Sequence, residues 1–88
     1  MKYAEIYKLI KKLQERQIPF ASMNIADNFY IRIVCDGLHV LIIEHSELYE
    51  AQIKPLEFWD YNNDFTDWMT AEDCLKKIES LRKIYKNG

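Results

Sequence analysis

Two histidines, two cysteines and fourteen carboxylates are the side chains of this sequence best suited to chemistry. His45 follows Glu44 and lies near Glu47, and an imidazole beside a carboxylate is the minimum for moving a proton near neutral pH. Nothing else in the chain converges on that pair. There is no Gly-rich phosphate loop, no His-x-x-x-His spacing and no Gly-x-Ser-x-Gly turn. His39 stands in an alternating run, where a surface imidazole is the plain reading. Cys35 and Cys74 are too few and too widely spaced for a zinc site or a disulfide framework. Each falls on the apolar side of its element, as a buried thiol does, and not where a reactive one is placed. The residues imply no catalytic group, cofactor or metal.

Charge is more informative. Residues 44–73 hold nine acidic side chains and one basic, whereas residues 1–43 and 74–88 are net basic. The acidic stretch also contains Tyr49, Phe58, Trp59, Tyr61, Phe65 and Trp68. Aromatic groups interleaved with acids suit a surface that docks on a basic protein, the rings acting as anchors. The candidate contact residues are Glu57, Trp59, Asp60, Tyr61, Asp64, Asp67 and Trp68. The plainer alternative assigns the rings to the core and leaves the acids as a solvated face.

The elements that must position these residues are well marked at both ends. Tyr3, Ile6, Tyr7, Ile10 and Leu13 recur at helical spacing, predicting a helix over 2–17 that Pro19 ends. Residues 20–25 alternate as an edge strand does, with Ala21, Met23 and Ile25 on one side, and Ala26-Asp27-Asn28 supplies a turn. Two β-rich runs, 29–35 and 38–44, flank Asp36-Gly37, the preferred pair for a two-residue hairpin turn. That turn places Phe29, Ile31, Ile33, Cys35, Leu38, Val40 and Ile42 on one face. Tyr30, Arg32, Val34, His39, Leu41 and Ile43 fall on the other. Thr70, followed by Glu72 and Asp73, caps a last helix whose stripe is Cys74, Leu75, Ile78, Leu81 and Tyr85. Between 46 and 69 the pattern is weaker: a helical turn over 46–52, then a fourth strand or an extended loop over 56–61.

The expected fold is α+β, in the order α-β-β-β-(β)-α, a single domain with both helices on one face of an antiparallel sheet. Tyr30, Val34, Leu41 and Ile43 are too apolar to stand in water, so the segment 46–69 or a second copy of the chain should cover them. The order resembles that of double-stranded RNA-binding domains. Where those domains carry a Gly-Lys-Lys-rich run into the last helix, this chain has Thr70-Ala71-Glu72-Asp73, whose carboxylates would repel a phosphate backbone.

No apolar run approaches the roughly 18 residues of a membrane span, and the first residues lack the pattern of a secretory signal. A cytoplasmic protein is the expectation. Lys outnumbers Arg nine to three, a bias common in A/T-rich genomes and their phages. The function read from these residues is a non-enzymatic module that binds a protein through residues 44–68. In its sharper form the acidic stretch imitates nucleic acid in the basic cleft of a nucleic-acid enzyme, as small phage or mobile-element inhibitors do. The alternative is a nucleic-acid-binding domain that uses Lys8, Lys12, Lys77 and Lys83.

Overall fold

Asp36 and Gly37 both adopt positive φ, 50° and 85°, the conformation in which a two-residue turn matches the twist of its strands. The computed structural model, which describes residues 3–46 and 54–87, builds a five-stranded antiparallel meander around this turn. β1 (Ala21–Ile25), β2 (Asn28–Cys35), β3 (Leu38–Glu44), β4 (Leu56–Asp60) and β5 (Phe65–Met69) lie side by side in chain order. Helices α1 (Ala4–Glu15) and α2 (Ala71–Asn87) flank them in sequence. The β2–β3 register pairs Cys35 with Leu38, Ile33 with Val40 and Ile31 with Ile42, as the turn dictates.

Both helices pack on one face. Ile6, Leu9 and Leu13 of α1 and Cys74, Leu75, Ile78 and Leu81 of α2 close over Ile31, Ile33, Leu38, Val40, Ile42, Leu56 and Phe58. The α1 stripe is rotated from the one expected. Leu9 is fully buried, Tyr7 is exposed, and Tyr3 and Ile10 lie at the margin of the core. The helix also ends before Gln17. Gln17 takes positive φ (57°), and the Ile18 N–H donates to the Leu13 carbonyl at 2.9 Å and the Gln17 N–H to that of Gln14 at 3.1 Å. This closing motif satisfies the last carbonyls before Pro19 is reached. At α2 the Thr70 hydroxyl accepts the Asp73 N–H at 3.2 Å, the expected cap.

The larger difference lies between 54 and 69. Residues 56–60 are the fourth strand, and 65–69 add a fifth that the sequence pattern hid. β5 reads Phe-Thr-Asp-Trp-Met, and its Asp67 faces the helix side at the open rim of the sheet, where it can stay solvated. A charge at that position breaks the alternation by which a strand is read. Residues 56–69 therefore extend the sheet in its plane and do not lie over its outer face. The helical turn expected over 46–52 falls, apart from Ser46, outside the described residues.

The turns and α2 lock together at one end. Arg82 reaches Asp36 Oδ2 from Nε (3.1 Å) and Nη2 (2.9 Å). A Cβ at Gly37 would come within 3.2 Å of the Tyr85 Cβ, and the Tyr85 hydroxyl meets Asn63 Nδ2 at 3.0 Å. Among the described residues no helix is long and apolar enough to cross a membrane.

Candidate functional site

With the helices on one side, alternation sends every second residue to the other. The outer face carries Ala21, Met23 and Ile25 from β1 and Tyr30, Arg32 and Val34 from β2. β3 contributes His39, Leu41 and Ile43, β4 contributes Glu57 and Trp59, and β5 contributes Thr66 and Trp68. Val34 is 65% exposed, Met23 and Ile25 53% each, and Tyr61, just past β4, 46%. Ile43, flanked by Tyr30 and Glu57, is buried, whereas Leu41 and Tyr30 are half-buried. The expected cover is thus not supplied by residues 56–69, and Val34 stands open.

Glu57 organises the aromatic half of this face. Its Oε1 lies 2.6 Å from His45 Nε2, and its Oε2 accepts the Trp59 indole N–H at 2.7 Å. The His45 ring rests 5.7 Å from that of Trp68. Trp59 stacks on Tyr61 at 6.3 Å, and Tyr61 meets His39 at 4.6 Å. His39 Nε2 is enclosed without a hydrogen-bond partner among the described residues. These contacts join His39, Tyr61, Trp59, Glu57, His45 and Trp68 into one row across β3, β4 and β5. The imidazole–carboxylate pair does form, with Glu57 twelve residues on and not with the adjacent Glu44, whereas Glu47 lies outside the described residues. Glu57 spends its two oxygens on His45 and Trp59, which makes it a fastener of rings.

The seven residues proposed as a partner site do not share one surface. Glu57, Trp59 and Trp68 lie on the outer face, with Tyr61 at its edge. Asp64 is exposed in the β4–β5 turn at φ 49°. Asp67 points to the helix side and accepts the Trp68 N–H at 2.8 Å. Asp60 is buried, at 2% exposure. Its carboxylate takes the Asn62 N–H at 3.1 Å, the Asn63 N–H at 3.4 Å and the Asn63 side-chain amide at 2.7 Å. Asp60 builds the turn, with its carboxylate engaged by Asn62 and Asn63. Of the aromatic residues in the acidic stretch, Phe58 is core and Phe65 packs against it at 6.5 Å, while Trp59, Tyr61 and Trp68 face outward.

Of the basic residues named for the alternative reading, Lys8 and Lys12 share a groove with acids. Lys8 sits 3.5 Å from Glu5, and Lys77 lies 4.8 Å over the Phe65 ring. Arg16 pairs with Glu79 at 2.6 Å. The groove between α1 and the start of α2 mixes Lys8, Lys11 and Lys12 with Glu5, Glu15 and Glu72. Such a groove does not concentrate positive field along a phosphate backbone. Burial pushes the Cys74 thiol up to about 12, with the Asp73 and Glu5 carboxylates adding to the rise. Burial also raises Cys35, helped by Asp36 and opposed by Arg82. Both stay protonated near neutral pH and are poor nucleophiles.

Sequence reasoning named His45 and Glu57 separately and missed their contact. His45 and Glu57 are twelve residues apart, and only the β3–β4 register, which sets Ile43 against Glu57, brings them together. The signal available was the parity of Glu57, Trp59 and Tyr61, which places them on one side of a strand. Compared with protein families, characterised proteins and solved structures, the chain matches none.

Proposed function

We propose that this chain is a non-enzymatic module that binds a protein partner through the outer face of its sheet. The observation that carries the reading is the exposure of Val34, Met23, Ile25 and Tyr61 on a face that neither helix covers. A patch of this kind on a small domain marks a contact surface more often than a chance feature. Trp59, Tyr61 and Trp68 supply the large, half-exposed rings that dominate interface energetics. Arg32 and Glu57 are the only formal charges on the face among the described residues, and Glu57 is already engaged. The partner surface that fits is therefore apolar at its centre. Asp64, exposed in the same four-residue turn as Tyr61, supplies one carboxylate that favours a basic group on the partner's rim.

The test compares partners retained from a lysate by the wild-type protein and by two sets of variants. Val34→Glu and Tyr61→Asp should lose the partner while melting as the wild type does. Charge reversal at Asp64 should weaken retention and make it less sensitive to salt. Retention unaffected by Val34→Glu and Tyr61→Asp but abolished by reversing Lys8, Lys12, Lys77 and Lys83 would overturn the reading. So would tight DNA or RNA binding at roughly 150 mM salt, where exposed charges reach only about 8 Å.

A further inference from the structure

The two edges of the sheet are built differently. At the β5 edge the Asp67 carboxylate accepts the outward Trp68 N–H at 2.8 Å, and its charge stands at the rim. A side chain that occupies the free amide and a charge beside it are both devices that keep another strand away. β1 has neither. Its five residues, Ala-Ser-Met-Asn-Ile, carry no charge, no proline and no bulge, and all five are exposed. Among the described residues nothing caps this edge.

The register states which main-chain groups are free. Ala26 and Asp27, at φ 50° and 63°, form a two-residue turn, so Ile25 and Asn28 are a hydrogen-bonded pair. Pairs alternate along an antiparallel ladder, and Met23–Tyr30 and Ala21–Arg32 are bonded likewise. The N–H and C=O groups of Ser22 and Asn24 therefore point away from the sheet.

We infer that β1 pairs antiparallel with β1 of a second copy of this chain, joining two five-stranded sheets into one of ten strands. The strand is complementary to itself about Met23. A two-fold axis there sets Ser22 opposite the partner's Asn24 and Asn24 opposite the partner's Ser22. All four outward N–H and C=O groups of each strand are then bonded. Any other register in this phase leaves some of them without a partner. Met23 meets the partner's Met23 as the close, non-bonded pair, and Ala21 faces the partner's Ile25 on the outer side. No like charges meet along the seam. The apolar groove of about 390 Å³ lined by Ala21, Met23, Ile25, Tyr30, Arg32 and Leu41 then borders the dimer axis and is joined by its twin. This contact uses edge main chain; Met23 and Ile25 border it, whereas Val34 and Tyr61 of the outer-face reading lie outside β1.

Sedimentation velocity over a wide concentration range tests the pairing. The wild-type protein should move to the dimer value as concentration rises. Ser22→Pro removes one outward N–H that no group of its own chain uses, and Met23→Lys sets two ammonium groups together on the axis. Both should remain monomeric and keep the wild-type circular dichroism. Thr66→Pro, which removes an outward N–H from the β5 edge, and Val34→Glu on the outer face should still dimerise. In a Cys35→Ser background, Met23→Cys should form an intermolecular disulfide on oxidation, because the facing Cβ atoms of a close pair lie about 4.5–5.5 Å apart. Ala21→Cys should not. Should Ser22→Pro fail to fold, Met23→Lys and the cysteine pair decide the matter. A wild-type protein that stays monomeric at every concentration overturns the inference. A dimer that survives Met23→Lys, or that Val34→Glu abolishes, overturns it too.

Discussion

The Glu44 carboxylate accepts the Ile6 backbone N–H at 2.8 Å, a contact across 38 residues of chain. The first amides of a helix have no partner within it, and Tyr3, the residue before α1, turns through positive φ (62°) with no side-chain cap. Glu44, at the end of β3 and 6% exposed, does the capping from outside the helix. A carboxylate suits the place, because the helix dipole is positive there.

Glu44→Ala should therefore destabilise the domain by about 1–3 kcal/mol, the cost of leaving buried donors unmet. In a domain of this size that corresponds to a fall in Tm of about 4–8 °C per kcal/mol. Glu44→Gln, which keeps an acceptor oxygen, should cost less. Thermal melts of the two variants check the order, and equal losses would mean that the charge and not the acceptor matters.

Burial raises the Glu44 carboxyl above its ordinary 4.5; the Ile6 N–H opposes the rise and the Glu5 carboxylate adds to it. The folded protein consequently holds this proton more tightly than the unfolded chain. Between 4.5 and the raised value the native state binds more protons, so Glu44's contribution to stability grows as pH falls and levels off below 4.5. Urea titrations over that interval should show the wild type gaining on Glu44→Gln as the solution is acidified. Parallel curves would remove the linkage.

The rotation of the α1 stripe makes a sharp comparison. Leu9→Ala opens a cavity in a fully buried position and should cost about 2–5 kcal/mol. Tyr7→Ala loses a ring contact with Phe29 at 5.4 Å and should cost only about 0.5–1.5 kcal/mol. Denaturant unfolding of the pair reports which face of the helix is central, and the reverse order would restore the stripe through Tyr7.

The acids of the β4–β5 region should separate by role. Asp60→Ala strips acceptors from the Asn62 and Asn63 amides, with an expected loss of about 1–3 kcal/mol. Asp64→Ala, at a solvated turn position, should stay within about 0.5 kcal/mol apart from any backbone preference at its positive φ. Similar melting of both variants would show that Asp60 is not a structural acid.

How far the sequence carries follows from the range of each signal. Asp36-Gly37 states a hairpin in two adjacent residues, and the β2–β3 register follows from it alone. The Thr70 cap and the α2 stripe are likewise local. β5 was hidden because Asp67 interrupts its pattern at an edge where water tolerates the charge. The outer row was half legible. Trp59 and Tyr61 share a face by parity, but the Glu57–His45 contact depends on how β3 meets β4 after an intervening segment. Glu44 looked like the end of a strand, since its partner amide lies at the start of the chain.

The distance in sequence between Glu44 and Ile6 also bears on how the chain folds as it is synthesised. Each strand of the meander pairs with the one made just before it, so the sheet can grow as the polypeptide emerges. α1 is made before the sheet but lacks both its cap and its packing partners until β3 and α2 arrive. A helix of twelve residues is marginal in water on its own. A helix produced before the sheet is thereby secured only after it. A nascent chain ending at Gly37 should show a freely exchanging Ile6 amide, and protection should appear only in chains long enough to include Glu44 and the closing helix.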